Sequence, residues 1–431
     1  MLKAFANAFK VPDLRTKILF TLAIIAVYRL GSHIPAPGID VEIAQRFASG
    51  DQPTAIQFLA LFSGGALTQL AIFALGIMPY ITSSIIMQLL TVVIPRLEAW
   101  SKEGESGHKK ITQWTRYLTV VLAIIQSTGL AFLFHNGQIT DAQGNPVDFF
   151  PAGTFWWGRV ALVVMSLTAG TALVMWLGEL ITQRGVGNGM SILIFTSIVS
   201  TLPAEGNNIL DARGAGIFTI VCIIGLVVIV AIVTMEQGQR RIPVQYAKRV
   251  VGRRMYGGSS TYIPLKVNQA GVIPIIFASS VLYIPQLLQN VIHQPDIQNF
   301  INTYFLDAAN PVYMTLYGVM VVFFTYFYTA ISFNPVDVSD NMKKYGGFIP
   351  GIRPGRQTAD YLDRILTRIT LPGALFIAAI ALLPSVFLAW QGIDQLPFGG
   401  TSILITVGVT LETMKQIESQ LTMRHYEGFL K

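Results

Sequence analysis

The chain has 431 residues, of which 52% are hydrophobic and only 12% charged. Soluble domains carry about 25% charged residues, and surface-to-volume scaling leaves no core large enough to hide this much apolar surface. A water-soluble fold is excluded, and the net charge of +7 must be read from where it falls along the chain.

The N-terminal stretch MLKAFANAFKVPDLRTK is amphipathic and has no small-x-small cleavage site after an apolar core. It is expected to be mature sequence lying on a membrane surface. A membrane span needs about 20 mostly apolar residues. That window predicts an all-α integral membrane protein with ten spans, at 18–34, 71–94, 117–134, 155–176, a short 191–202, 217–235, 270–292, 313–333, 369–389 and 401–414. Arg29 falls toward the outer end of the first span, where its long side chain can snorkel to the interface. The lone cysteine, Cys222, lies in an apolar run and reads as a small hydrophobe, so the chain has no internal disulfide or cysteine metal site.

Ahead of the second span, FLALFSGGALTQ (58–69) has helical apolar spacing broken by Ser63-Gly64-Gly65. It is too short to cross a bilayer, and reads either as an outer surface helix or as a re-entrant segment filling a cavity. The second span then holds Gly76-Ile77-Met78-Pro79-Tyr80-Ile81, and the seventh holds Gly271-Val272-Ile273-Pro274-Ile275-Ile276. Each is the second span of a group of five, the arrangement expected of an inverted repeat. An odd number of spans per copy makes the two copies run in opposite directions. Each proline is expected to kink its helix, which makes these two spans candidates for a moving seam.

Lys and Arg fix the orientation. With the N-terminus inside, the cytoplasmic segments hold 4, 5, 1, 7, 6 and 3 of them in chain order, together 26 of 30, leaving Arg29, Arg46, Arg159 and Arg213. Both termini are therefore expected in the cytoplasm. Two loops exceed what orientation needs. The loop 236–269 carries Arg240, Arg241, Lys248, Arg249, Arg253, Arg254 and Lys266, together with a β-prone run at Thr261-Tyr262-Ile263. The loop 334–368 carries Lys343, Lys344, Arg353, Arg356, Arg364 and Arg368 around GGFIPGIRPG. Either these loops contact anionic lipid, or they dock a large acidic or nucleic-acid-bearing partner such as a ribosome.

The predicted spans hold almost no charge inside, where pumps and ion-coupled transporters place acids and bases. Glu179 and Glu412 lie at inner ends, no histidine is mid-span, and there is no P-loop or nucleophile elbow. A passage lined by Ile77, Ile81 and Ile276 would instead form a dewetting constriction, suited to a substrate that is itself a chain.

Nine stretches resemble the SecY/Sec61-alpha family of protein-conducting channels: FSGGAL (62–67), GIMPYITSSIIMQLLTVV (76–93), KEGESG (102–107), TRYLT (115–119), RGVGNGMSILIF (184–195), QGQRRIPVQYAKR (237–249), PLKVNQAGVIP (264–274), FYTAISFNP (327–335) and PGIRPG (350–355). The resemblance implies two inverted halves, 1–205 and 206–431, and a re-entrant plug helix at 58–69 that includes Phe62, Ser63, Gly64 and Gly65. It implies a pore ring of Ile77, Ile81, Ile194, Ile276 and Ile405, and a lateral gate with Thr82, Gln126 and Asn268. Docking of the motor ATPase SecA or the ribosome would fall to Arg240, Arg241, Lys248, Arg249, Arg253, Arg254 and Arg353. SecE-like and SecG-like small subunits, signal peptides, preproteins and membrane lipids are the implied partners, in a bacterial plasma membrane. No cofactor or metal is implied. The alternative function from the residues alone is an inverted-repeat secondary transporter; an intramembrane enzyme has no catalytic constellation here.

Overall fold

The computed structural model describes residues 9, 11–39, 60, 62–135, 156–246, 249–251, 254–256, 260–289, 295–306, 310–391 and 400–428. Among them, six helices are long and apolar enough to cross a membrane, or seven if one bent pair counts as a single span. The six coincide with the third, fourth, fifth, sixth, eighth and ninth expected spans, and the bent pair with the second. The first, seventh and tenth expected spans fall on helices Pro12–Gly31, Ile273–Gln289 and Gly400–Gly428. The chain gathers into two compact units.

The first unit takes in Met1–Thr219, Ile284–Leu306 and Val409–Lys431. Its main helices are α1 (Pro12–Gly31), α2 (Met78–Val93), α3 (Pro95–Lys102), α4 (Glu105–His135), α5 (Trp156–Arg184) and the first part of α6 (Gly189–Gln237). Gly214, at φ +80 and ψ 170, breaks α6 into two spans, a conformation glycine adopts without steric cost. Between α2 and α3 the chain turns by 101°. Ile94 is extended there because Pro95 follows it, and proline excludes the helical region for the residue before it.

Polar side chains knit the spans of this unit together. Ser83 donates to the Thr115 carbonyl across α2 and α4 at 2.8 Å. Arg116 of α4 grips both carboxylate oxygens of Glu179 on α5, at 2.7 and 2.6 Å. One position in α5 admits only glycine, since a Cβ on Gly170 would stand 2.1 Å from the Ile72 carbonyl oxygen. A buried cluster of Ala36, Leu67, Leu70, Leu130, Val163 and Leu167 packs around this approach.

The second unit comprises Ile220–Tyr283 and Asp307–Gly408. After the second part of α6 come β1 (Gln239–Tyr246), β2 (Arg249–Val251), β3 (Arg254–Tyr256) and β4 (Ser260–Lys266). The chain continues through α7 (Ile273–Gln289), α8 (Pro295–Ile301), α9 (Pro311–Ser332), α10 (Pro335–Lys344), β5 (Gly347–Phe348), α11 (Arg356–Gln391) and α12 (Gly400–Gly428), of which α8, the end of α7 and residues 409–428 of α12 belong to the first unit. The β-prone run at 261–263 does lie in a strand. β4 pairs antiparallel with β1, Ile242 opposite Ile263, and β5 adds to the other edge of β1. Ile242, Val244 and Leu265 on this sheet pack with Met342, Ile349, Leu362, Ile365 and Leu366 in one apolar cluster. Alternation along β1 puts Ile242 and Val244 inward and Arg241, Pro243 and Gln245 outward.

Candidate functional site

The two echoing motifs fold alike, and neither proline kinks a helix. Gly76 and Gly271 both take left-handed backbone, at φ +54 and +61. Pro79 and Pro274 are each the second residue of their helix. That is a correction to the expected kink: in the first turn a backbone N–H has no intrahelical partner, so proline removes nothing there and presets φ. The equivalence extends to hydrogen bonding, since Ile81 N–H donates to the Ile77 carbonyl at 3.1 Å and Ile276 N–H to the Val272 carbonyl at 3.4 Å.

Of the five expected ring residues, Ile77, Ile81 and Ile194 lie in the first unit, and Ile276 and Ile405 in the second. Ile77, Ile194, Ile276 and Ile405 are buried, whereas Ile81 is half-buried.

Within the expected plug, Phe58, Leu59 and Leu61 lie outside the described residues. The helix expected there ends at Ser63, and 64–70 run as consecutive turns. The cause is local: Gly64 and Gly65 stand at φ +66 and +82, and left-handed glycines terminate helices. Phe62, Ser63, Ala66 and Leu67 are all buried.

The end of α1 holds this turn. Arg29 Nη1 donates to the Gly64 carbonyl at 2.9 Å and to Ser200 Oγ at 2.8 Å. Arg29 therefore does not snorkel; it points inward because the left-handed glycine turn and α6 offer two oxygens. Beside it, the Tyr28 hydroxyl lies 2.7 Å from Ser197 Oγ and 3.4 Å from the Ser63 carbonyl. Further along, Ala36 N–H donates to Leu70 and Ile72 N–H to Ile34, both at 2.9 Å, clasping 34–36 onto 70–72. Tyr28 also stacks on Phe73 with ring centroids 5.8 Å apart.

Of the expected gate residues, Thr82 bonds back to the Met78 carbonyl of its own helix, and Gln126 is half-buried on α4. Asn268, buried just before α7, donates its side-chain amide to Glu236 at 2.5 Å and to the Gly271 carbonyl at 3.2 Å. Its carbonyl oxygen is buried with no hydrogen-bond partner among the described residues. Thr82 and Gln126 fall in the first unit and Asn268 in the second.

The family model SecY matches residues 71–414. Protein translocase subunit SecY of Streptomyces scabiei is 57% identical over 439 residues, covering 100% of both chains. The protein of the same name from Mycobacterium bovis is 53% identical over 445 residues, again covering 100% of both. The chain belongs to the SecY family. Among solved structures it is similar to that of a protein conducting channel, with a TM-score of 0.64 and 17% identity over 94% of this chain and 92% of that one. It is also similar to Sec61 in the canine ribosome-channel complex from the endoplasmic reticulum, with a TM-score of 0.61, 17% identity and the same coverage.

On this SecY-family chain the expected docking cations, six arginines and Lys248, divide three ways. Lys248 and Arg253 lie outside the described residues, and Arg249 and Arg254 are described only as backbone of β2 and β3. Arg240 and Arg241 are exposed on β1, with the Arg241 guanidinium 4.9 Å above the Tyr262 ring. Arg353 is exposed on the turn after β5. Its mount is stiff: the Arg353 carbonyl accepts from Thr358 Oγ1 at 2.9 Å, and the Gly355 carbonyl from Ser339 Oγ at 2.7 Å. Ile352 next to it packs on the apolar cluster under the sheet. Such a mount presents a cation without the entropy loss of ordering a loose loop. Among the described residues no group of three His, Cys, Asp or Glu is placed to hold a metal ion.

Sequence reasoning missed Tyr28, Ser197 and Ser200 around the glycine turn, Glu236 beside Asn268, and the pairing of Arg116 with Glu179. Two charges were visible signals. Arg29 in an apolar span and Glu179 near an inner end each called for a partner, though spacing alone names none.

Proposed function

We propose that this chain is the central, protein-conducting subunit of a Sec-type translocase. It passes unfolded preproteins across the plasma membrane and releases apolar segments sideways into the bilayer. The observation that carries the reading is full-length identity of 53–57% to proteins named protein translocase subunit SecY. In this reading the halves 1–205 and 206–431 are inverted copies of five spans each. Ile77, Ile81, Ile194, Ile276 and Ile405 form an aliphatic ring, and the burial of all but the half-buried Ile81 favours an apolar constriction. Phe62, Ser63, Gly64 and Gly65 belong to the plug, and Thr82, Gln126 and Asn268 to the lateral gate.

Both termini are cytoplasmic in this reading, which puts 26 of 30 basic residues on the inner side. The chain is not an enzyme and works through partners that supply the energy. SecA and the ribosome dock on Arg240, Arg241, Lys248, Arg249, Arg253, Arg254 and Arg353. The similar Sec61 channel occurs in a ribosome-channel complex, which supports a ribosomal partner. SecE-like and SecG-like subunits flank the channel in the lipid. The secondary-transporter alternative is not favoured, because the SecY relatives match over the whole chain.

Reconstituted vesicles test the reading. A preprotein offered with ATP and SecA should become protected from protease, and the double change Ile81→Gly with Ile276→Gly should raise resting ion conductance several-fold. Unprotected preprotein, with the chain correctly inserted, overturns the channel. Unchanged conductance overturns the ring.

A further inference from the structure

The turn 62–67 is held in two chemically different ways. At its far end, the segments 34–36 and 70–72 are joined by backbone hydrogen bonds on either side of the isolated Pro35–Ala71 bridge. Those hydrogen bonds run from backbone to backbone, and Leu70 within the clasp carries a positive φ of +47. At its tip, Ser63 and Gly64 are reached from α1 by side chains, Arg29 at 2.9 Å and Tyr28 at 3.4 Å. The same two side chains reach α6, through Ser200 at 2.8 Å and Ser197 at 2.7 Å. Ser200 in turn donates to the Ser197 carbonyl, so its hydroxyl oxygen is left to accept from Arg29, while the single Tyr28 proton serves either Ser197 Oγ or the Ser63 carbonyl. Arg29 donates to two neutral oxygens, and charge-assisted bonds to neutral acceptors break without leaving a carboxylate buried.

We propose that Arg29, assisted by Tyr28, is the latch that retains the plug tip, and that the 34–36/70–72 clasp is the hinge on which the tip turns when the latch opens. This rests on reading 58–69 as the plug. Arg29 is a positioning residue: it holds the turn and does not touch the translocating chain. Gly64 belongs to the latch, because a Cβ there would stand 3.0 Å from Arg29 Nη1 and 3.1 Å from Ser197 Cα.

The test uses the purified complex in proteoliposomes, with Cys222→Ser removing the one native cysteine and Ser63→Cys reporting the tip. Ser63 is 1% exposed, so its cysteine should react slowly with a small thiol reagent at rest. Arg29→Met should speed that reaction by about tenfold or more, the population shift expected from losing charge-assisted hydrogen bonds. Arg29→Lys should restore part of the protection. A second reporter, Ser127→Cys, sits at a position 0% exposed on α4 and should stay protected in every variant. Equal loosening of both reporters means that Arg29 merely stabilises the unit, and overturns the latch. Unchanged Ser63→Cys reactivity in Arg29→Met overturns it too. Where Arg29→Met does not assemble, Ser200→Ala removes one contact and Tyr28→Phe the two made by its hydroxyl; faster reaction at the tip supports the latch, and no change in either overturns it. Preprotein transport in the same vesicles is read separately. Its absence in the unaltered chain sinks the channel reading, while the reporter still reads the latch.

Discussion

Gly76 shows how much one residue can demand. Its φ of +54 is disfavoured for any side chain, and a Cβ would lie 3.0 Å from both the Phe62 carbonyl oxygen and Ser63 Cα. Gly76→Ala should therefore destabilise the fold by about 1–3 kcal/mol, seen as a lower thermal midpoint in detergent. Gly104 is the control: it also has positive φ, +76, but nothing lies within 4 Å of an added Cβ. Gly104→Ala should cost less, and equal losses would show that crowding at Gly76 is absent. The importance of Gly76 was legible in the sequence, because Gly-x-x-Pro recurs at 271–274. The partners of Arg29 were not. Ser200 is 171 positions away, and no local period joins residues so far apart.

Elements were legible where periodicity or turn chemistry dominates. The long apolar runs became helices, and Thr261-Tyr262-Ile263 became strand because β-branched and aromatic residues suit a half-buried pleat. The prolines were misjudged since their effect depends on position within the helix, and a helix start preceded by left-handed glycine is hard to separate by sequence from a helix interior. Between elements, Arg116 and Glu179 form a bidentate pair whose side chains are 38% and 15% exposed. A double-mutant cycle with Arg116→Ala and Glu179→Ala should give a coupling of about 1–2 kcal/mol, within the range for contacting residues. Thermal unfolding of the four proteins measures it. Additive losses would mean that water screens the pair.

For the whole molecule, the one-sided charge and the nine matched motifs carried the class, and the structure added the mounts on which the charges sit. Arg353 stands on a turn fixed by Thr358 and Ser339, so reversing its charge alters what is presented and not how it is held. Arg353→Glu should abolish SecA-driven transport in membrane vesicles while the chain still inserts and unfolds at its usual temperature. Normal transport would remove Arg353 from the docking set. The proposed relation of the two halves rests on few residues, those that set backbone geometry, here Gly76, Pro79 and Ile81 against Gly271, Pro274 and Ile276.

The second part of α6 is packed unlike its neighbours, with Ile220, Ile223, Leu226, Val227 and Val230 all exposed on the single chain. Side chains that face hydrocarbon need only be oily, whereas those that face protein need a shape. Exchanges among Ile, Leu and Val can therefore accumulate along that helix at almost no cost, while at Gly170 one methyl group is already too many. Two helices of one chain should thus tolerate exchanges very differently, and the less tolerant marks where protein is the neighbour.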